Sequence, residues 1–179
     1  MGNLLTNGLR KLVNSDKEYP EGDREATVIA VSTVKGGVGK TTTAVNLAVG
    51  LADQIEEDSR ALLIDLDAQG HCQASLAELV PSISGVDTVS EILLSEKNLD
   101  LLDAIVSTQI DNLDLTVADE GLSEAEGQIS QKIGKERLLS EALQFTRTHY
   151  DYIIVDCPPN KGNLTINALF AADGVVVPT

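Results

Sequence analysis

The chain has 179 residues, 42% of them apolar, and a formal net charge of −15 from 28 acidic and 13 basic side chains. That length supports one domain with a substantial core, and no apolar run approaches the roughly 18 residues of a membrane span or the long core of a secretory signal. The acid excess works against a broad nucleic-acid or anionic-membrane surface, and the two distant cysteines, Cys72 and Cys157, form neither a disulfide framework nor a metal-ligand pattern.

Taken in chain order, residues 1–24 read as an N-terminal appendage. Leu4, Leu5, Leu9, Leu12 and Val13 fall near one helical face beside Arg10 and Lys11, and Pro20 and Gly22 then break the pattern. Residues 25–179 read as a single α/β domain. Its first strand is the β-branched run Thr27–Thr33, followed by a glycine-rich loop and a helix from Thr41. Ala61-Leu62-Leu63-Ile64 is a second strand, Val86–Leu94 a helix, and Leu113–Val117 a half-polar strand. A helix is expected over Lys135–Arg147, with Leu138, Leu139, Ala142, Leu143 and Phe145 on its apolar side. Tyr152-Ile153-Ile154-Val155 reads as a buried strand, Asn163–Ala171 as a helix and Gly174–Val177 as a last strand. Such alternation predicts a mostly parallel sheet with helices on both faces. A parallel strand is normally followed by a covering helix, so a chain stopping at Thr179 reads as truncated at its C-terminal end.

The stretch Lys35-Gly36-Gly37-Val38-Gly39-Lys40-Thr41-Thr42 carries the most chemistry. Strand, glycine-rich loop and helix make a phosphate cradle, because glycines let backbone N–H groups close on phosphate oxygens and the helix N-terminus adds partial positive charge. In such a cradle Lys40 reaches the β- and γ-phosphates and the Thr41 hydroxyl ligates Mg²⁺. Asp156 ends the strand Tyr152–Val155, where a Walker-B carboxylate sits beside the metal. Asp65 and Asp67 end the second strand, and one of the two is placed to orient or polarise the water that attacks the γ-phosphate. His71 and His149 have no partner spacing for a metal site and read as surface or satisfied histidines.

Charge is uneven along the chain. Residues 81–130 hold eleven acidic side chains against one basic residue, Lys97. Solubility accounts for this, and so does adaptation to a salty cytoplasm in which repulsion is screened.

These residues resemble a known family. Lys35-Gly36-Gly37-Val38-Gly39-Lys40-Thr41 is similar to the deviant Walker A motif of ParA/MinD-type ATPases, which have an extra lysine at the loop's start. Leu63-Ile64-Asp65-Leu66-Asp67-Ala68-Gln69-Gly70 resembles the second box of the ParA/Soj branch, and Asp151–Pro159 its Walker B. The resemblance implies a P-loop NTPase fold over roughly residues 27–179, ATP/ADP and Mg²⁺ as cofactors, and slow, partner-stimulated ATP hydrolysis. It implies that Lys35 reaches across an ATP-dependent homodimer to the partner's nucleotide. Lys40 matches the P-loop lysine, Thr41 the Mg²⁺ ligand, and Thr42 an α-phosphate contact, with Gly36, Gly37, Val38 and Gly39 forming the cradle. Asp67 matches the catalytic carboxylate, Asp65 its neighbour near Mg²⁺, and Asp156 the Walker-B position.

The implied role is plasmid or chromosome partition with a ParB-like partner and nonspecific DNA, in the cytoplasm and on the nucleoid when DNA is bound. DNA binding rests on resemblance alone and runs against the acidic charge. Alternatives are a ParA-like ATPase positioning another cargo, or a MinD-like regulator that uses residues 1–24 at a membrane, although no membrane partner is expected. Departures from the pattern are Ala68 where the branch has Pro, His71 where Asn is common, and Asn160-Lys161-Gly162-Asn163 after the Walker B. The family's adenine-binding segment falls beyond Thr179.

Overall fold

An interior strand followed by a phosphate-type loop organises the molecule. The structure, a computed structural model, describes residues 22–54, 60–80, 85–97, 99–117 and 119–179. The apolar positions Leu4 to Val13 lie outside the described residues. Six strands form one sheet: β1 (Thr27–Val31), β2 (Ala61–Asp65), β3 (Ile105–Ser107), β4 (Leu113–Thr116), β5 (Tyr152–Asp156) and β6 (Gly174–Val176). Their order across the sheet is β3-β4-β2-β5-β1-β6. All pairs are parallel except β3 with β4. The mostly parallel α/β architecture is therefore as expected, with one antiparallel edge strand added.

Strand composition explains the layering. β2 and β5 are buried along almost their whole length, and alternate residues face opposite layers. Leu62, Ile64, Ile153 and Val155 join Val28 and Ala30 in one core with helices α3 (Val89–Leu94), α4 (Leu122–Ile129), α5 (Leu138–Ala142) and α6 (Asn163–Ala171). Ala61, Leu63 and Ile154 join Val31 in the other, against α1 (Lys40–Gln54) and α2 (His71–Ser75). On α1 the buried stripe is Ala44, Ala48 and Ala52, one small residue per turn, which lets the helix lie close on the strands.

Two helices differ from the sequence expectation, and three further elements are added to it. The helix expected from Val86 starts at Val89, because Thr88 and Glu91 form a reciprocal capping box that sets the first turn. The helix expected over Lys135–Arg147 is split into α5 and a 3₁₀ turn at Thr146–Thr148. Buried Asp100 accepts the Phe145 and Thr146 amides and the Thr146 hydroxyl, taking donors that a continuous helix would use. At the other end Asn167 of α6 accepts from Leu139 N and donates to Lys135 O, fixing the first turn of α5. Helices α2 and α4 and strand β3 were not anticipated.

The first described residues already belong to the domain's bonding. Gly22 N donates to Thr148 Oγ1 and Arg24 N to Thr148 O, while Arg24 pairs with Asp151. A Cβ at Gly22 would stand 1.9 Å from the Thr148 carbonyl oxygen, so this close approach requires glycine.

The acidic stretch is less of a surface than its composition suggests. Asp100, Asp114 and Asp119 are buried. Asp114 binds Arg60 and the Tyr150 hydroxyl, and Asp119 accepts from Ser90 N and Gly121 N. His149 is a satisfied residue, its Nδ1 within hydrogen-bond reach of Phe145 O and Thr148 Oγ1.

Candidate functional site

Three neighbouring strands deliver the site. β5 lies between β1 and β2, and the register pairs Val31 with Asp156 and Asp65 with Asp156. The loop leaving β1 and the two carboxylates therefore meet at the same end of the sheet, where open parallel sheets bind ligands.

The loop from Ser32 to Gly39 takes its shape from its glycines. Gly37 and Gly39 have φ of +72° and +81°, backbone conformations that side-chained residues rarely adopt. Nothing lies within 4 Å of a Cβ built at Gly36 or Gly37, so the backbone edge is open on that side. The first turn of α1 is closed by Thr43 N and Thr43 Oγ1, both donating to Gly39 O at 2.8 Å. Lys40 is 9% exposed and its charge acts on Asp156, whereas Lys35 is exposed at the loop's start. Thr42 is exposed and Val38 half-buried.

At the base of the loop, Thr41 Oγ1 donates to Asp156 Oδ2 at 2.6 Å, joining residues 115 positions apart. Asp156 is fully buried, and its Oδ1 is the one buried side-chain oxygen or nitrogen without a partner among the described residues. Burial pushes its carboxyl above the usual range, opposed by the hydrogen bonds from Thr41 and Cys72 and by Lys40, with the charge of Asp67 adding to the rise. Asp65, 1% exposed, is pushed up to about 6, first by burial and further by the charges of Asp156 and Asp67. The amides of Asp67 and Cys72 donate to Asp65 at 2.9 and 3.0 Å and hold the rise in check. Asp67 is half-buried, and its carboxylate accepts from Gln69 N at 3.1 Å, which ties the turn after β2.

Two buried carboxylates side by side, each raised by desolvation and one with an orphaned oxygen, have an excess of negative charge that a cation answers. The all-oxygen set of Thr41, Asp65 and Asp156 suits a hard divalent ion such as Mg²⁺. The residues present therefore fit the cofactor that the loop implies.

Against known proteins, residues 26–179 match the AAA domain family. The chain belongs to this family and is of the ParA/Soj type. It is 42% identical over 151 residues to the sporulation initiation inhibitor protein Soj of Bacillus subtilis, covering 84% of this chain and 57% of Soj. It is likewise 42% identical over 164 residues to the chromosome partitioning protein ParA of Myxococcus xanthus, covering 89% of this chain and 56% of that protein. Among solved structures it resembles cobyrinic acid a,c-diamide synthase from Mycobacterium smegmatis with bound ATP analogue and magnesium, at TM-score 0.74 and 36% identity, covering 86% of this chain and 60% of that one. The chain thus spans about half the length of the curated relatives it matches. No helix among the described residues is long and apolar enough to cross a membrane.

Among the residues singled out from the ParA-type motifs, Lys40, Thr41, Asp65, Asp67 and Asp156 come together at one corner, while Lys35 is exposed at the start of the loop. Sequence reasoning missed Cys72. Reading the two cysteines as a pair hid the fact that Cys72 Sγ lies 3.4 Å from Asp156 Oδ2 and that its amide binds Asp65. A lone cysteine gives no spacing signal; only the proximity of its position to Asp65 and Asp67 pointed there.

Proposed function

We propose that this chain carries an ATP-dependent, dimerising ATPase of the ParA type, acting in plasmid or chromosome partition. The Thr41–Asp156 contact beneath the open glycine loop carries the reading, because it joins the two halves of a nucleotide–magnesium site across 115 residues. In this reading residues 25–179 are the ATPase domain. Gly36, Gly37, Val38 and Gly39 present amides to phosphate, Thr42 binds the α-phosphate, and Lys40 binds the β- and γ-phosphates. Thr41, Asp65 and Asp156 hold Mg²⁺, which when bound screens the phosphate charge and polarises the phosphoryl oxygens. Asp67 orients the attacking water from its tied turn and takes up proton density. Lys35 extends from the exposed end of the loop to the nucleotide of a second copy, adding positive charge where the transition state spreads negative charge.

The partners follow from the same reading: a second copy in the ATP state, a ParB-like protein that speeds hydrolysis, and nonspecific DNA, all in the cytoplasm. A chain of net charge −15 meets DNA only through a local basic patch and loses that contact steeply with salt. The test is light scattering with Mg²⁺ and a non-hydrolysable ATP analogue. Doubling of mass in the wild type, and its loss in Lys35→Ala, is expected; a chain that binds the analogue and stays monomeric overturns the dimerising reading. A DNA titration with ATP, ADP and no nucleotide across salt concentrations checks the last partner, since binding indifferent to nucleotide would remove DNA from the cycle.

A further inference from the structure

The corner holding Asp65 and Asp156 contains a ligand that a magnesium site has no use for. Cys72 Sγ, Asp65 and Asp156 each offer one ligand atom, and these atoms lie within 4.8 Å of one another, all on buried side chains. Cys72 and Thr41 both donate to Asp156 Oδ2, and Asp156 Oδ1, buried, has no partner among the described residues. Magnesium takes oxygen ligands in near-octahedral geometry, whereas a thiolate selects zinc and other softer ions, which also accept carboxylate oxygen.

We propose that Asp65, Cys72 and Asp156 form a site for a thiophilic divalent cation of the zinc class, which competes with the magnesium of the nucleotide site. The inference rests on reading Asp65 and Asp156 as cation-facing carboxylates. Zinc bonds of about 2.0–2.3 Å to oxygen and sulfur require the three ligand atoms to close in by roughly an ångström, within reach of side-chain rotation. Binding breaks the Cys72 S–H bond and forms an S–metal bond, and the proton leaves to solvent with no change of oxidation state. A doubly charged ion favours the thiolate over the thiol, and Lys40, whose charge acts on Asp156, offsets the remaining negative charge. The consequence is regulatory: a thiophilic ion seated here occupies Asp156 and displaces magnesium from Thr41 and Asp156.

Cobalt(II) is the probe, added to the full chain without nucleotide and followed by its near-ultraviolet sulfur-to-cobalt charge-transfer band, with Zn²⁺ then titrated in. The wild type and Cys157→Ser are expected to show the band and lose it to Zn²⁺. Cys72→Ser is expected to show no band and to bind Zn²⁺ at least about tenfold more weakly. Absence of the band in the wild type, or an equal band in Cys72→Ser, overturns the proposal. Should Cys72→Ser fail to fold by circular dichroism, X-ray absorption at the cobalt edge of the wild type reads the sulfur ligand directly, and a spectrum with only oxygen and nitrogen neighbours is equally fatal. Binding of a fluorescent ATP analogue with Mg²⁺ is measured alongside. Its failure with the cobalt band present removes the nucleotide reading and leaves the metal site standing; nucleotide binding without the band does the reverse.

Discussion

Replacing Asp65 by Asn is expected to stabilise the cation-free protein while damaging its site. The unfolded chain holds this carboxyl near 3.8 and the fold pushes it up to about 6, with burial the main cause. Between those values the folded state binds more protons than the unfolded one, so Asp65 lowers stability as pH rises through this window. One pKa unit is about 1.4 kcal/mol, so folding with Asp65 charged costs about 3 kcal/mol at pH 7 and about 1 kcal/mol at pH 4.5. Asn removes that cost but accepts through one oxygen only. One of the amides of Asp67 and Cys72 that now donate to Asp65 then loses its acceptor, at about 1 kcal/mol. The net gain is about 2 kcal/mol at pH 7, equivalent to about 4–8 °C in Tm for a domain of this size, and near zero at pH 4.5. Thermal melts in chelator at both pH values, wild type beside Asp65→Asn, measure it. A variant that melts at or below the wild type at pH 7 would refute the reasoning, because Asp65 would then be stabilising as a carboxylate.

Asp156→Ala removes the acceptor of Thr41 and is expected to lower Mg²⁺-dependent nucleotide affinity at least about tenfold, read by titrating a fluorescent ATP analogue at several Mg²⁺ concentrations. Gly39→Ala forces a side chain into φ +81°, a strain of about 1–2 kcal/mol that should appear as a lower Tm together with weaker nucleotide binding. Tyr150→Phe deletes the hydroxyl that donates to buried Asp114 at 2.7 Å, and urea unfolding should show a loss of about 1.5–3 kcal/mol with the nucleotide titration unchanged. Asp100→Ala strips acceptors from Leu102, Phe145 and Thr146, and early hydrogen exchange of these amides, before global unfolding, is the expected sign.

The parts legible in the sequence were those with strong local signals. Short apolar runs, β-branched in β1 and β5, marked β1, β2 and β5, and the glycine-rich loop with its following lysine and threonine marked the cradle, because each rests on a pattern or a backbone need that neighbouring residues supply. Helix α4 was also readable, since buried Leu122, Ala125 and Ile129 recur at helical spacing, but Glu124 and Glu126 make it look like part of the acidic stretch. Breaks in the expected Lys135–Arg147 helix were not readable, as they depend on Asp100, more than 40 residues away. The same holds for the buried Asp114, which looks solvated in sequence and is paired only once Arg60 and Tyr150 arrive from the residues leading into β2 and β5. Cys72 belongs to this class too: its neighbour Asp156 stands 84 positions along the chain.

The register of Asp65 beside Asp156 has a mechanical consequence. Their spacing is set by the hydrogen-bond ladder between β2 and β5, extended by Leu66 N donating to Asp156 O at 3.0 Å. A one-residue slip would turn every core side chain of β5 to the wrong face, so the backbone positions of these two residues share the fate of the whole sheet, and only their side chains can adjust locally. In the proposed function, motion that accompanies nucleotide exchange therefore falls to the segments that leave the strands: the glycine loop after β1 and the turn from Asp67 to Gly70. On the proposed function the corner is an anvil, central and held by the sheet, and these two short peptide segments are the parts left to adjust against it.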